Sequence, residues 1–117
     1  MKLFVYGTLT PDGGAWHLLA RWTVGRAEAD AVRGTLYDTG RGYPAATFDP
    51  AAPGLVHGVV VELDPGRAEE ALAALDRYEA DEYARLEVRT ESGERAVTYG
   101  WTAPLDRCST VADGRWT

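Results

Sequence analysis

Apolar positions recur at two different periods along the chain, and the changes of period divide it into short strands and two helices. The first run, Leu3-Phe4-Val5-Tyr6, is apolar at consecutive positions and stops abruptly at Gly7-Thr8-Leu9, with Gly13-Gly14 after a Pro11-Asp12 turn. A strand from Lys2 to Tyr6 that is apolar on both faces reads as a central one. Glycine at its end lets backbone N–H groups approach a ligand that a side chain would exclude. Ala15 to Trp22 reads as a short helix with Leu18, Leu19 and Trp22 on one side. Thr23 to Ala29 and Ala31 to Tyr37 read as a pair of strands, after which Asp38-Thr39-Gly40 turns the chain. Gly42-Tyr43-Pro44-Ala45-Ala46 and a proline-rich loop from Asp49 to Gly54 follow.

Leu55 to Leu63 alternates cleanly, with Leu55, Val59, Val61 and Leu63 on one face and Val56, Gly58 and Val60 on the other, and is expected to be central. Asp64-Pro65 signals a helix start, with Glu69 and Glu70 placed near the positive end of its dipole. Ala68, Ala71, Leu72, Leu75 and Tyr78 mark one buried face, so the helix runs to about Tyr78 or Glu79. Arg85 to Thr90 and Arg95 to Trp101, joined across Glu91-Ser92-Gly93, predict a hairpin whose second strand presents Val97, Tyr99 and Trp101 on one face. The remainder reads as a tail. Six or seven short strands with only two helices, in no regular alternation, predict an α+β fold with a largely antiparallel, curved or barrel-like sheet. A doubly wound nucleotide fold would need more helices, and neither glycine-rich phosphate-loop signature is present.

At 117 residues the chain is expected to form one domain, residues 1–117. A net charge of −6 argues against nucleic acid, since a phosphate-backbone binder needs a basic face. Cys108 is the single cysteine, which excludes an intramolecular disulfide and leaves a cytoplasmic protein as the default. No base is identifiable beside it, so it reads as a small semi-buried side chain in the tail. The amino terminus is too short in apolar residues for a signal peptide or a membrane-spanning helix. No metal is expected: His17 and His57 stand far apart without a partner motif, and no EF-hand spacing exists.

Glu79 is out of place. It follows Leu75 by four residues and Leu72 by seven, which aims its side chain along the apolar stripe. An acid at a helix carboxyl end is held against the dipole, and burial would raise its pKa further, with Asp76, Asp81 and Glu82 adding negative charge in the same sense. Such a carboxyl suits proton transfer near neutral pH. The other reading is that the helix has already ended and Glu79 is a solvated acid in an acidic turn.

Several segments, in order, carry a resemblance. Phe4-Val5-Tyr6-Gly7-Thr8-Leu9, Gly34-Thr35-Leu36-Tyr37-Asp38 with Gly42-Tyr43-Pro44-Ala45, Val56 to Asp64, Leu75-Asp76-Arg77-Tyr78-Glu79 with Tyr83-x-Arg85, and Asp113-Gly114-Arg115-Trp116 together resemble the gamma-glutamylcyclotransferase-like family. The opening Tyr-Gly-Thr-Leu is similar to the gamma-glutamylamine type, while Trp16 and Ala80 depart from the family pattern. The resemblance implies a small, mostly antiparallel β-barrel-like sheet with two main flanking helices. It also implies an enzyme that cyclises a gamma-glutamyl amine or gamma-glutamyl amino acid to 5-oxoproline. Glu79 would be the general acid/base, and Tyr6, Gly7, Thr8, Leu9, Tyr43 and Tyr83 would bind substrate. The nucleophile is the substrate's own α-amine, so no cofactor and no enzyme nucleophile are needed. Read from the residues alone, Tyr43 and Tyr83 are either pocket hydroxyls or packing aromatics, and Trp22, Trp101 and Trp116 are packing residues. A non-catalytic domain that keeps the pocket for a small metabolite is the alternative. No membrane partner is expected, and a monomer and a homodimer are equally compatible with the sequence.

Overall fold

The computed structural model describes residues 1–116, the side chain of Ala80 excepted, so that departure from the family pattern lies outside the described side chains. The elements in chain order are β1 (Lys2–Val5), α1 (Trp16–Ala20), β2 (Thr23–Asp38), β3 (Pro44–Phe48), β4 (Leu55–Leu63), α2 (Ala68–Glu79), a 3₁₀ turn (Ala80–Glu82), β5 (Tyr83–Arg89), β6 (Arg95–Trp101) and β7 (Ser109–Thr110). The sheet runs β3-β2-β4-β1-β6-β5, with β7 added to β2. Every pairing is antiparallel except β1 with β6, which run parallel. The fold is therefore α+β, a nearly closed barrel-like sheet with two helices, and its seam lies between the edge strands β3 and β5. At one end of that seam the Tyr83 hydroxyl donates to the Pro44 carbonyl at 2.5 Å.

Strand alternation explains why the chain is apolar at every position from Leu3 to Tyr6. Leu3 and Val5 point to the layer that also contains Val61 and Leu63 of β4, Leu19 of α1, and Ala71, Leu72 and Leu75 of α2. Phe4 and Tyr6 point the other way, into the barrel with Val32, Leu36, Ala46, Val56 and Val60. One strand thus belongs to two cores because its side chains alternate with period 2. The expected faces of β4 and the hairpin β5–β6 are observed. Trp22 and Trp101 are buried and Trp116 packs against the barrel interior.

Four expectations are corrected. The segments expected as two paired strands form one strand, β2, that pairs with β4 across a register shift between Val24 and Glu28. Asp30 lies within β2, where its carboxylate accepts from the Ala31 N–H at 2.8 Å and from the Ser92 hydroxyl at 2.5 Å, which satisfies it within the strand. Strand β3 begins at Pro44 and is carried by Ala45 and Ala46, both fully buried and too small to show an alternating pattern. The tail is stitched to the sheet: β7 pairs with Tyr37 and Asp38, the Val111 N–H donates to the Leu36 carbonyl and the His57 N–H to the Gly114 carbonyl. Finally, Tyr78 is exposed rather than on the buried stripe.

Helix α2 ends at Glu79, and its inner face of Ala71, Leu72 and Leu75 seats it on β1 and β4. Leu75, 1% exposed, is the last residue of that face before the acid. Leu75→Ala is expected to lower the unfolding free energy by about 2–5 kcal/mol, read from the urea midpoint at unchanged slope.

Candidate functional site

The end of β1, the start of β3 and the end of α2 surround a cavity of about 470 Å³. All seven residues singled out in the sequence line it: Tyr6, Gly7, Thr8, Leu9, Tyr43, Glu79 and Tyr83. Tyr78, Glu82 and Tyr99 line it as well; Tyr99, expected only as one position on a strand face, arrives on β6.

The loop after β1 folds back on itself through its carbonyls. Gly7 O accepts from the Thr10 N–H at 3.2 Å and from the Thr10 hydroxyl at 3.0 Å, and Thr8 O accepts from the Ala15 N–H at 2.8 Å. The N–H groups of Gly7, Thr8 and Leu9 donate to no acceptor among the described residues. Consecutive free N–H groups of this kind form a concavity suited to an anion. Two glycines make the fold-back possible. A Cβ at Gly7 would stand 2.8 Å from Pro44 Cγ, and one at Gly13 would stand 2.3 Å from the Thr8 carbonyl oxygen. Neither distance is tolerated by a side chain.

Three tyrosines form the wall between loop and helix, and their hydroxyl protons are already committed. Tyr6 donates to the Tyr99 carbonyl at 2.6 Å, Tyr83 to the Pro44 carbonyl, and Tyr99 to Asp76 Oδ1 at 2.6 Å. Burial raises the pKa of each, so all three hydroxyls stay protonated. Tyr83 also meets the Trp101 ring edge-on, at 5.1 Å between centroids. The two open readings of Tyr83 thus converge on a packing aromatic with a structural hydrogen bond. Tyr43 sits at the rim with its hydroxyl 3.2 Å from Glu82 Oε1.

The two glutamates of the cavity have opposite environments. Burial pushes Glu79 up to about 7, and among the described residues no cation or hydrogen-bond donor pairs with its carboxyl. Glu82 is pushed the other way, below the usual carboxylate range, chiefly by the hydrogen bond from Arg41 at 2.8 Å. The sequence-based expectation that neighbouring acids help to raise Glu79 is corrected here. Burial alone accounts for the rise, because Glu82 is paired with Arg41 and Asp76 with Tyr99 and Arg85. Glu79 is not a solvated acid of the following turn.

This geometry has relatives. The model of the family described as gamma-glutamyl cyclotransferase, AIG2-like, matches residues 3–117. The chain belongs to that family. Among solved structures, ytfP of Escherichia coli is 31% identical, the match covering 99% of this chain and 96% of that one with a TM-score of 0.64. YkqA of Bacillus subtilis is 28% identical over 98% of this chain with a TM-score of 0.76, but this chain spans only 39% of YkqA. An aig2-like protein of Mus musculus, also called ggact, shares the fold at 19% identity, covering 88% of this chain and 79% of that one with a TM-score of 0.71. No match was found among curated proteins. Among the described residues, no helix is long and apolar enough to cross a membrane.

The environment of Glu79 in this AIG2-like fold has a thermodynamic signature. A carboxyl whose folded pKa lies above its unfolded value of 4.5 favours folding most below pH 4.5, and that contribution is lost as pH rises through about 7. Glu79→Gln removes the buried charge. The variant is expected to be more stable than the wild type by about 1–3 kcal/mol at pH 8 and to show no such gain at pH 4, measured by urea unfolding at both pH values.

Proposed function

We propose that the chain is a gamma-glutamylcyclotransferase acting on a gamma-glutamyl amine, with Glu79 as the general acid/base. The observation that carries this reading is one carboxyl with a pKa of about 7, unpaired with any cation, in the same cavity as the free N–H groups of Gly7, Thr8 and Leu9. The loop N–H groups hold the substrate's α-carboxylate, which brings its α-ammonium toward Glu79. The carboxylate takes a proton, the freed amine attacks the gamma carbonyl carbon, and a five-membered ring closes. Glu79 passes that proton to the departing nitrogen as its C–N bond breaks, and the second proton, which the ring nitrogen sheds to become a lactam N–H, follows through the same carboxyl. The products are 5-oxoproline and an ammonium ion of the released amine, with no net proton change. One side chain serves both proton transfers, each step needing it in the state the other leaves behind. Holding the substrate amine against its own carbonyl is the orientation part of catalysis, worth roughly 7–11 kcal/mol in favourable systems.

Charge favours an amine over an amino acid as leaving group. Among the described residues the cavity is lined by two acids, Glu79 and Glu82, and by no Lys, Arg or His. A leaving group with its own carboxylate would meet Glu82 there, and the Arg41 cation at the rim is already paired with that acid. The family membership supports a cyclotransferase of gamma-glutamyl compounds in general.

Glu79→Gln is expected to fold and to lose about 10²- to 10⁴-fold in the rate of 5-oxoproline release from gamma-glutamyl amines. In the wild type, kcat/KM is expected to rise with pH through about 7, because Glu79 must be ionised to accept the first proton. A folded Glu79→Gln protein that turns over at the wild-type rate overturns the assignment.

A further inference from the structure

We propose that Tyr99 is a positioning residue that holds the last turn of α2, and with it Glu79, against the loop of residues 7–9 through its hydrogen bond to Asp76. Tyr99 hydrogen-bonds to both walls of the cavity. Its carbonyl accepts from Tyr6, the residue from which the loop springs, and its hydroxyl donates to Asp76 on the helix that carries the acid. Asp76 precedes Glu79 by three residues, so the two lie on neighbouring positions of one helix side. A bond that fixes Asp76 therefore fixes the rotation and height of the turn that ends at Glu79.

The other restraints on that turn are weak. The buried face of α2 stops at Leu75. Beyond it, the recorded side-chain contacts are an exposed Thr8–Tyr78 hydroxyl pair at 3.2 Å and an Arg85–Asp76 ion pair at 3.7 Å between half-exposed groups. Exposed contacts of this sort contribute little. Glu79 makes no hydrogen bond of its own among the described residues, so its place is dictated by the helix and not by the carboxyl. The Tyr99 bond is short, and Tyr99 itself is 6% exposed. Around Glu79 the titratable groups are the hydroxyls of Tyr6 just after β1, Tyr83 on β5 and Tyr99 on β6, with Glu82, Tyr43 and Tyr78 lining the same cavity.

The inference rests on the reading of Glu79 as the acid/base, and Tyr99→Phe tests it. That substitution deletes one hydroxyl, keeps the ring, and leaves the carbonyl that receives Tyr6, so the loop is untouched. With a gamma-glutamyl amine as substrate, kcat is expected to fall about 10- to 100-fold with KM unchanged, the size of loss that follows a small misplacement of a reacting group. The acid limb of kcat/KM is expected to move to lower pH as water reaches Glu79. The same shift is to be read without substrate, by carbon-detected NMR titration of the Glu79 carboxyl in wild type and variant. Asp76→Ala breaks the bond from the exposed helix side and is expected to reproduce both effects should Tyr99→Phe not fold. Asp76→Asn, which keeps an acceptor oxygen while losing the charge, is expected to restore them toward wild type. A wild type that releases no 5-oxoproline defeats the functional reading alone, since the titration still reports on the strut. Wild-type titration of Glu79 in both Tyr99→Phe and Asp76→Ala overturns the positioning role.

Discussion

A carboxyl that has lost its water without gaining a cation is the constraint around which the rest of this molecule is arranged. Glu79 ends α2, and the helix is seated by Leu72 and Leu75 on the same sheet face that receives Leu3 and Val5 of β1. The apolar packing that stabilises the helix thus also drives the acid into the cavity. Burying a lone carboxylate is unfavourable, and the group responds by taking a proton near neutral pH instead of leaving the site. Stability is given up at this position in a form that proton transfer can use.

The opposite wall is built by a different means. The loop after β1 carries no charged side chain between Gly7 and Pro11, and its N–H groups are left free among the described residues because its carbonyls bond within the loop. Gly7 and Gly13 permit this because Pro44 and the Thr8 carbonyl occupy the space their side chains would need. Between the two walls stand tyrosines whose hydroxyls bond protein carbonyls or Asp76, so they supply rigidity and dryness. A dry wall strengthens both the N–H groups and the carboxyl, since neither is screened by water.

Much of this was legible in the sequence, and the parts that were not share a physical cause. Leu55–Leu63 was readable to the residue because a half-buried strand must alternate, and Glu79 was readable as misplaced because helical spacing carries it four residues beyond Leu75. Strand β3 was missed because Ala45 and Ala46 are buried without large side chains, and β7 because two residues have no period. Tyr78 was assigned to the buried stripe on a spacing of three from Leu75, but the helix turns it outward and brings Glu79 in. Tyr99 was recognised only as one apolar position on a strand. Its part in the site depends on β6 lying beside β1, a parallel pairing that no local pattern announces.

The same limit explains why sequence could not rank the two acids of the cavity. Glu79 and Glu82 stand three residues apart in one short acidic stretch, and local composition treats them alike. What separates them is Arg41, which reaches Glu82 from the segment between β2 and β3 and passes over the Tyr43 ring on the way. That contact holds Glu82 ionised at the rim and leaves Glu79 as the carboxyl able to change protonation near neutral pH. Two chemically identical groups shift in opposite directions because the fold gives one a cation and buries the other without one. The assignment of roles in this site is therefore a property of the barrel seam, where distant segments meet, and not of the motif in which both residues lie.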